Sequence, residues 1–325
     1  MAVTAAQPPL FRRLARSPLT QSLVRAVLVG FGVMVIAFSL IHSIPGDPAR
    51  MMLGDQATDE AVDQYREVLG LNAPLPQQFV TYVSGLFRGD LGVSLVTRQP
   101  VSQTITRRLP ITLWLIAVTA VMAVVIATPI GIAAARYRRG WFGQLFRIGA
   151  SLSLATPVFF SGVLAILIFA VYFNIAPVAG YRGTFPANLR YLWLPALVLC
   201  TVLVPILARV LQSSIADTME QEFVESAVVR GLPRRILFWR YLLRPSFAPT
   251  VALLGYMVGA LLGAAVVVEL VFNLPGIGTA LVDAVLGRDY TMVQSILLIF
   301  GMIVVGVSFV ADLLSGWLDP RTRTV

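Results

Sequence analysis

Lysine is absent from this 325-residue chain, and cysteine and histidine occur once each, as Cys200 and His42. Each absence removes a class of chemistry. A Walker A loop needs Lys against the β/γ-phosphates, so the chain cannot hold one. Schiff-base catalysis through Lys is excluded too. One Cys allows no internal disulfide, and too few Cys and His remain to build a zinc centre from them. A single His also excludes the H-E-x-x-H metalloprotease arrangement. Charge is scarce: 13% of residues are charged, where a soluble domain has about 25%.

In place of charge the chain has apolar length. Hydrophobic residues make up 57% of it, and a bilayer core about 30 Å thick is crossed by roughly 20 such residues in a helix. Six stretches meet that length, at 23–44, 110–135, 148–173, 193–215, 247–270 and 291–316. The first is too long for a cleaved signal and lacks a clear small-residue cleavage site. The sequence therefore predicts an all-α membrane protein with six transmembrane helices. They lie between a basic tail (1–22), a long loop (45–109) and a short C-terminal segment (317–325).

The net charge of +9 is explained by topology. Arg12, Arg13, Arg16 and Arg25 flank the first span. Arg136, Arg138, Arg139 and Arg147 fill the loop 136–147, which has no acid. Arg230, Arg234, Arg235, Arg240 and Arg244 follow the fourth span, and Arg321 and Arg323 follow the sixth. All fall on one side of a six-span chain, and an excess of arginine marks the cytoplasmic side. Both termini are then expected in the cytoplasm, and the basic balance needs no nucleic acid partner.

The loop 45–109 carries six Arg against seven acids. Val62, Tyr65 and Leu69 recur at helical spacing after Asp59 and Glu60, acids that suit a helix N-terminus. Pro74 and Pro76 interrupt the pattern, and Phe79, Tyr82, Val83 and Leu86 make a second amphipathic face. The loop reads either as a cap on the membrane surface or as a docking platform for an external partner. A second unusual segment is Asn273-Leu274-Pro275-Gly276-Ile277-Gly278, which has turn chemistry. The short apolar face of Leu281, Val285 and Leu286 follows it. This segment is either a surface loop or a re-entrant piece.

The segment 217–244 has the most to say about function. Asp217, Glu220, Glu222 and Glu225 precede Arg230, Arg234 and Arg235, an order that complements a helix dipole. Phe223, Val224, Ala227 and Val228 form an apolar stripe. Gly231 suits the position just past a helix, and Pro233 suits the start of the next, which contains Ile236, Leu237, Phe238, Trp239 and Leu242. An exposed patch with Phe and Trp needs a cover, either lipid or a cytoplasmic partner.

Glu222-Phe223-Val224-Glu225-Ser226-Ala227-Val228-Val229-Arg230-Gly231-Leu232 resembles the EAA loop of ABC importer permeases. Four further pieces follow one branch of that group, in its order. They are His42-Ser43-Ile44-Pro45-Gly46-Asp47-Pro48, then Arg88-Gly89-Asp90-Leu91-Gly92, then Glu269-Leu270-Val271-Phe272 with Pro275-Gly276-Ile277-Gly278 and Arg288-Asp289-Tyr290, and finally Leu318-Asp319-Pro320-Arg321. Together they resemble the B-type permease subunit of dipeptide and oligopeptide importers, over about residues 23–323. Two departures stand out. Ser226 occupies a position where the general pattern has Ala, and Leu243-Arg244 replaces a later Leu-Pro, with Pro245 one place on.

The resemblance implies a type I ABC importer permease fold in a bacterial inner membrane. It implies a non-catalytic subunit that shares the pathway with a C-type permease. Two ATP-binding domains on other chains would hold ATP and Mg, so no cofactor is expected on this one. A binding protein would deliver peptide from outside. The EAA helix, with Glu222, Phe223, Val224, Glu225, Ser226, Ala227, Arg230 and Gly231, would be the ATPase-coupling element. Nickel and glutathione importers share the same permease pattern.

Other residues are candidates on physical grounds. Arg209 and Asp312 lie toward the cytoplasmic ends of their spans, where burial is expensive, and are a candidate pair. Glu269, at the outer end of the fifth span, is either solvated at the interface or, with Asn273, Pro275, Gly276 and Gly278, part of a pathway or gate. Gly255, Gly259 and Gly263 form a strip that permits close helix approach, within the bundle or against a partner permease. Pro129, Pro157 and Pro205 lie inside spans and can kink them. A self-sufficient secondary transporter would show internal repeats and buried coupling acids; no convincing repeat relates 1–160 to 161–325. A membrane enzyme would need a nucleophile–base pair or a metal set, and none stands out.

Overall fold

A computed structural model of the chain describes residues 18–43, 48–53, 57–68, 72–181 and 188–318. The basic tail through residue 17, most of the motif that begins at His42, and the terminal motif beyond Leu318 lie outside the described residues. In chain order the helices are α1 (Pro18–Ser43), α2 (Pro48–Leu53), α3 (Asp59–Val68), α4 (Leu75–Phe87), α5 (Val101–Arg136), α6 (Trp141–Ala155) and α7 (Val158–Ala165), which runs on as a π-helix over Ile166–Tyr172. They continue with α8 (Leu189–Met219), α9 (Glu222–Val229), α10 (Arg234–Ile236), a π-helical run (Leu237–Leu243), α11 (Arg244–Val271), α12 (Ile277–Leu286) and α13 (Tyr290–Leu318). Strand structure among the described residues is limited to one isolated bridge between Val93 and Pro100.

Five helical stretches are long and apolar enough to cross a membrane, within α1, α5, α8, α10–α11 and α13. The sixth expected span, 148–173, is not one straight helix. It breaks at Pro157, where α6 and the helix from Val158 to Tyr172 meet at 101°. Proline has no N–H to donate and pushes the residue before it out of the helical region; Thr156 is accordingly extended, with φ −83° and ψ 124°. Pro129 and Pro205, by contrast, sit inside α5 and α8, which continue through them. Other boundaries differ from the hydropathy reading. Helix α5 begins at Val101, nine residues before the expected span, and α10, the π-helical run and α11 form one helical stretch over Arg234–Val271.

Helices α5 and α8 form the centre and run parallel: Cys200 Sγ lies 3.6 Å from Thr119 O, and Gln212 Nε2 donates to Ala134 O at 3.2 Å. Lipid tails are as apolar as leucine, so such a contact is held by close packing rather than by exclusion of water. The sequence meets that requirement with the buried row Leu115, Thr119, Ala123, Ala127 and Gly131 on α5. A Cβ at Gly131 would come within 3.0 Å of Ala208 O. Leu199, Leu203, Leu207 and Leu211 of α8 are buried from all sides. Around this centre α11 packs on α8 and α13, and α13 packs on α1.

Two of the three glycines in the α11 strip, Gly255 and Gly259, pack within the bundle. A Cβ on Gly255 would lie 2.0 Å from Ala311 Cβ of α13, and one on Gly259 3.4 Å from Val304; one on Gly263 meets nothing within 4 Å. The amphipathic face of α4 leans on α1 through Phe79, whose ring lies 5.3 Å from Phe38 and 6.0 Å from Phe31.

Gly255→Val is therefore expected to overpack the α11–α13 contact, at a cost of about 1–3 kcal/mol. The same change at Gly263 is expected to be nearly neutral. Thermal unfolding of the two variants in detergent checks this, and equal shifts would contradict the packing described here.

Candidate functional site

Two ends of the bundle gather the residues singled out by the sequence. At one end, the close of α11 meets α12 and the start of α5. Glu269 is fully buried there, not solvated at an interface as one sequence reading had it. Its carboxylate accepts hydrogen bonds from the Thr112 hydroxyl and from Thr279 N at 3.0 Å. Thr112 Oγ1 in turn accepts from Ile277 N at 3.0 Å. A buried charge is tolerable only when protein groups replace its water. Here the replacement is a hydroxyl and the free N–H groups of a helix N-terminus, where partial positive charge also accumulates.

This arrangement explains the Pro275-Gly276-Ile277-Gly278 motif. A Cβ at Gly276 would sit 2.2 Å from the Glu269 carboxyl carbon, and one at Gly278 2.8 Å from both Oε2 and Val266 Cα. Only glycine leaves room for the carboxylate against the backbone. Asn273 reverses the chain before it, with φ 48°, a left-handed value that Asn tolerates. Leu274 N then closes on Glu269 O at 2.8 Å. Asn273 and Pro275 are exposed, whereas Gly276 and Gly278 are buried.

Two further motifs join the same end. Asp289 is 3% exposed and precedes α13. Its carboxylate accepts from the Ser94 hydroxyl, from Leu95 N at 3.1 Å and from Met292 N at 3.2 Å. The Arg88-Gly89-Asp90-Leu91-Gly92 turn reaches the same place through Ser295 Oγ, which donates to Leu91 O at 2.9 Å. Gly92, at φ 81°, packs so tightly on Thr291 that a Cβ would lie 2.8 Å from its methyl. Pattern reading missed Thr112, Thr279 and Ser94, since each meets its acid only through folding. The spacing of Gly276 and Gly278 after Glu269 was the one available signal.

At the opposite end α9 spans eight residues, with Glu222 and Glu225 in its first turn. The apolar stripe divides. Val224 and Ala227 turn inward at 5% and 2% exposure, while Val228 and Val229 face outward at 56% and 82%. Phe223 stacks on Tyr241, ring centroids 6.5 Å apart. Gly231 ends the helix at φ 69°, its N–H bonded to Val228 O at 2.9 Å and that of Leu232 to Ala227 O at 3.3 Å. That is a glycine-terminated helix end. The chain then returns at Pro233, leaving Ile236 and Trp239 exposed. Ser246 ties the return to α8: its hydroxyl lies 2.7 Å from Leu242 O, 3.1 Å from Thr218 Oγ1 and 3.2 Å from Ser214 O. Glu222, Glu225, Ser226, Arg230 and Gly231 are all exposed.

The candidate Arg209–Asp312 pair does not form. Packing of α13 on α1 turns Asp312 toward Ser22, whose hydroxyl donates to it at 3.0 Å, and toward Arg25 at 3.8 Å. Arg209 is exposed on α8 and makes no ion pair among the described residues.

A bundle of long apolar helices with one bent pair, closed by buried carboxylates at one end and carrying an exposed helix–turn–helix at the other, defines a multi-pass membrane permease of the type I ABC importer fold. The chain belongs to the family of binding-protein-dependent transport system inner membrane components. That family's model matches residues 127–324, and the model for the N-terminal part of such components matches residues 17–116. The chain is 35% identical over 291 residues to the glutathione transport system permease protein GsiC of Pectobacterium atrosepticum, covering 90% of this chain and 94% of that protein. It is 35% identical over 319 residues to the probable D,D-dipeptide transport system permease protein DdpB of Escherichia coli K12, covering 91% and 94%. Against GsiC of E. coli K12 it is 34% identical over 293 residues. The protein is thus an inner-membrane permease of the peptide-type ABC importers.

Gly276→Ala drives a methyl into the Glu269 carboxylate and is expected to loosen α12, measured as faster hydrogen exchange at Ile277–Leu286. Glu269→Ala alone leaves the Thr279 N–H without its acceptor, at about 1–3 kcal/mol. Contacting residues couple, so the double variant is expected to be less damaged than the sum of the two. Additive effects would contradict the contact.

Proposed function

We propose that this chain forms half of the translocation pathway of an ATP-driven importer of short peptides, and that α9 and its Gly231 turn couple it to a separate ATPase. The carrying observation is the α9 surface: Val228, Val229, Trp239 and Ile236 lie exposed beside Glu222, Glu225 and Arg230 at the arginine-rich end. ATP and Mg are held by the partner, which suits a chain without lysine. Arginine placement favours the cytoplasm for this end and for both termini. A C-type permease completes the pathway, and an external binding protein delivers substrate to the end that holds Glu269. The helical stretch Arg234–Val271, 38 residues and about 57 Å long at 1.5 Å per residue, joins the coupling turn to the Glu269 clamp. It would carry motion from one end to the other.

The names of the relatives bear on the substrate. One is a glutathione permease and another a probable D,D-dipeptide permease, so glutathione stands beside ordinary dipeptides and oligopeptides as cargo.

Reconstitution with a partner ATPase, a C-type permease and a binding protein tests the reading. Gly231→Val strains a left-handed residue by about 1–2 kcal/mol and is expected to lower peptide uptake by roughly tenfold or more while ATP is still hydrolysed. Glu225→Arg is expected to act in the same direction. Undiminished uptake in both variants, or uptake driven by an ion gradient without ATPase chains, would overturn it.

A further inference from the structure

Helices α5, α6 and α8 line an open crevice of about 310 Å³ that takes no part in either site described above. Ile126 and Ile130 line it from α5, Phe146 and Gly149 from α6, and Leu197 and Val204 from α8. Its walls are almost wholly apolar. The outer flank of α6 is apolar and exposed as well, with Leu145, Ile148 and Leu152 at 56%, 67% and 68%.

The crevice runs toward the arginine-rich end. Leu197, Thr201 and Pro205 line it at successive intervals of four on α8. The next residue on that face is Arg209, about 6 Å further along at 1.5 Å per residue. It is exposed and free of carboxylates among the described residues. On α6, Arg147 follows Phe146 and reaches Arg138 O at 3.4 Å. It thus sits against a loop whose charged residues, Arg136, Arg138 and Arg139, are all basic and exposed. Tyr137 and Trp141 on the same loop are 52% and 76% exposed, and such aromatics suit the headgroup level of a bilayer.

We propose that this crevice is a binding site for an anionic phospholipid, one acyl chain lying along α6 and α8 and the phosphate held by Arg209 and Arg147. An apolar slot that runs toward guanidinium groups without a carboxylate partner among the described residues matches a ligand with an apolar tail and an anionic head. Guanidinium groups also suit phosphate oxygens in particular.

Lipid retained by the purified full chain, read by native mass spectrometry after exchange into nanodiscs of phosphatidylglycerol or of phosphatidylcholine, tests the proposal. The wild type should retain phosphatidylglycerol preferentially, by about fivefold per arginine that meets the phosphate. Arg147→Gln with Arg209→Gln should abolish the preference. Gly149→Leu should remove retained lipid of both kinds. A Cβ at Gly149 meets nothing within 4 Å and leucine is the better helix former, so this variant fills the slot without disturbing the fold. Equal retention of the two lipids by the wild type, persistence of the preference without the arginines, or full retention by Gly149→Leu would each overturn the site. So would cross-links showing the crevice covered by a partner permease.

Discussion

A carboxylate buried among apolar helices must find in the protein what water would have supplied. At Glu269 this requirement organises a whole end of the molecule. The acid needs donors, and the nearest are the free N–H groups at the start of α12. Reaching them requires α12 to begin directly over the acid, which requires a chain reversal at Asn273 and residues without side chains at 276 and 278. Thr112 completes the shell and thereby binds α5 to both elements. Asp289 repeats the solution at the start of α13, to which it ties the 88–95 turn. Motifs far apart in sequence thus become a single hydrogen-bonded unit.

The two ends of the bundle differ in kind. Around Glu269 and Asp289 the polar groups are buried and matched, and glycines bring backbone against side chain. Around α9 the charged groups are exposed, a glycine is required by its φ rather than by crowding, and large apolar side chains face outward. The first is finished within the chain. The second leaves large apolar side chains uncovered among the described residues. In the proposed function the continuous helix from Arg234 to Val271 joins them, and Ser246 fixes its base to α8.

Much of this was legible in the sequence, for identifiable reasons. Apolar length marked the spans because the bilayer sets it, and Gly231 with Pro233 marked the end of α9 because few other residues fit there. The break at Pro157 was foreshadowed only as a possible kink. Hydropathy sees composition and is blind to a 101° bend. It also ended the outer loop too late, because Val101 and Ile105 are buried against α12 rather than against lipid. The Arg209–Asp312 pairing failed because depth in a span says nothing of the face a residue occupies. The role of Glu269 was out of reach for a similar reason: its partner Thr112 lies 157 positions away.

The central claim is that α9 is the surface through which a separate ATPase moves this chain. Cys200 is the chain's one cysteine and is buried, so Val229→Cys, at a site 82% exposed, places a single accessible thiol on that surface. Cross-linking from this thiol in native membranes is the most direct measurement. The account predicts an adduct containing an ATP-binding chain, with a yield that changes when ATP is added. An adduct with lipid alone, or no ATP-binding chain in any product, would contradict it.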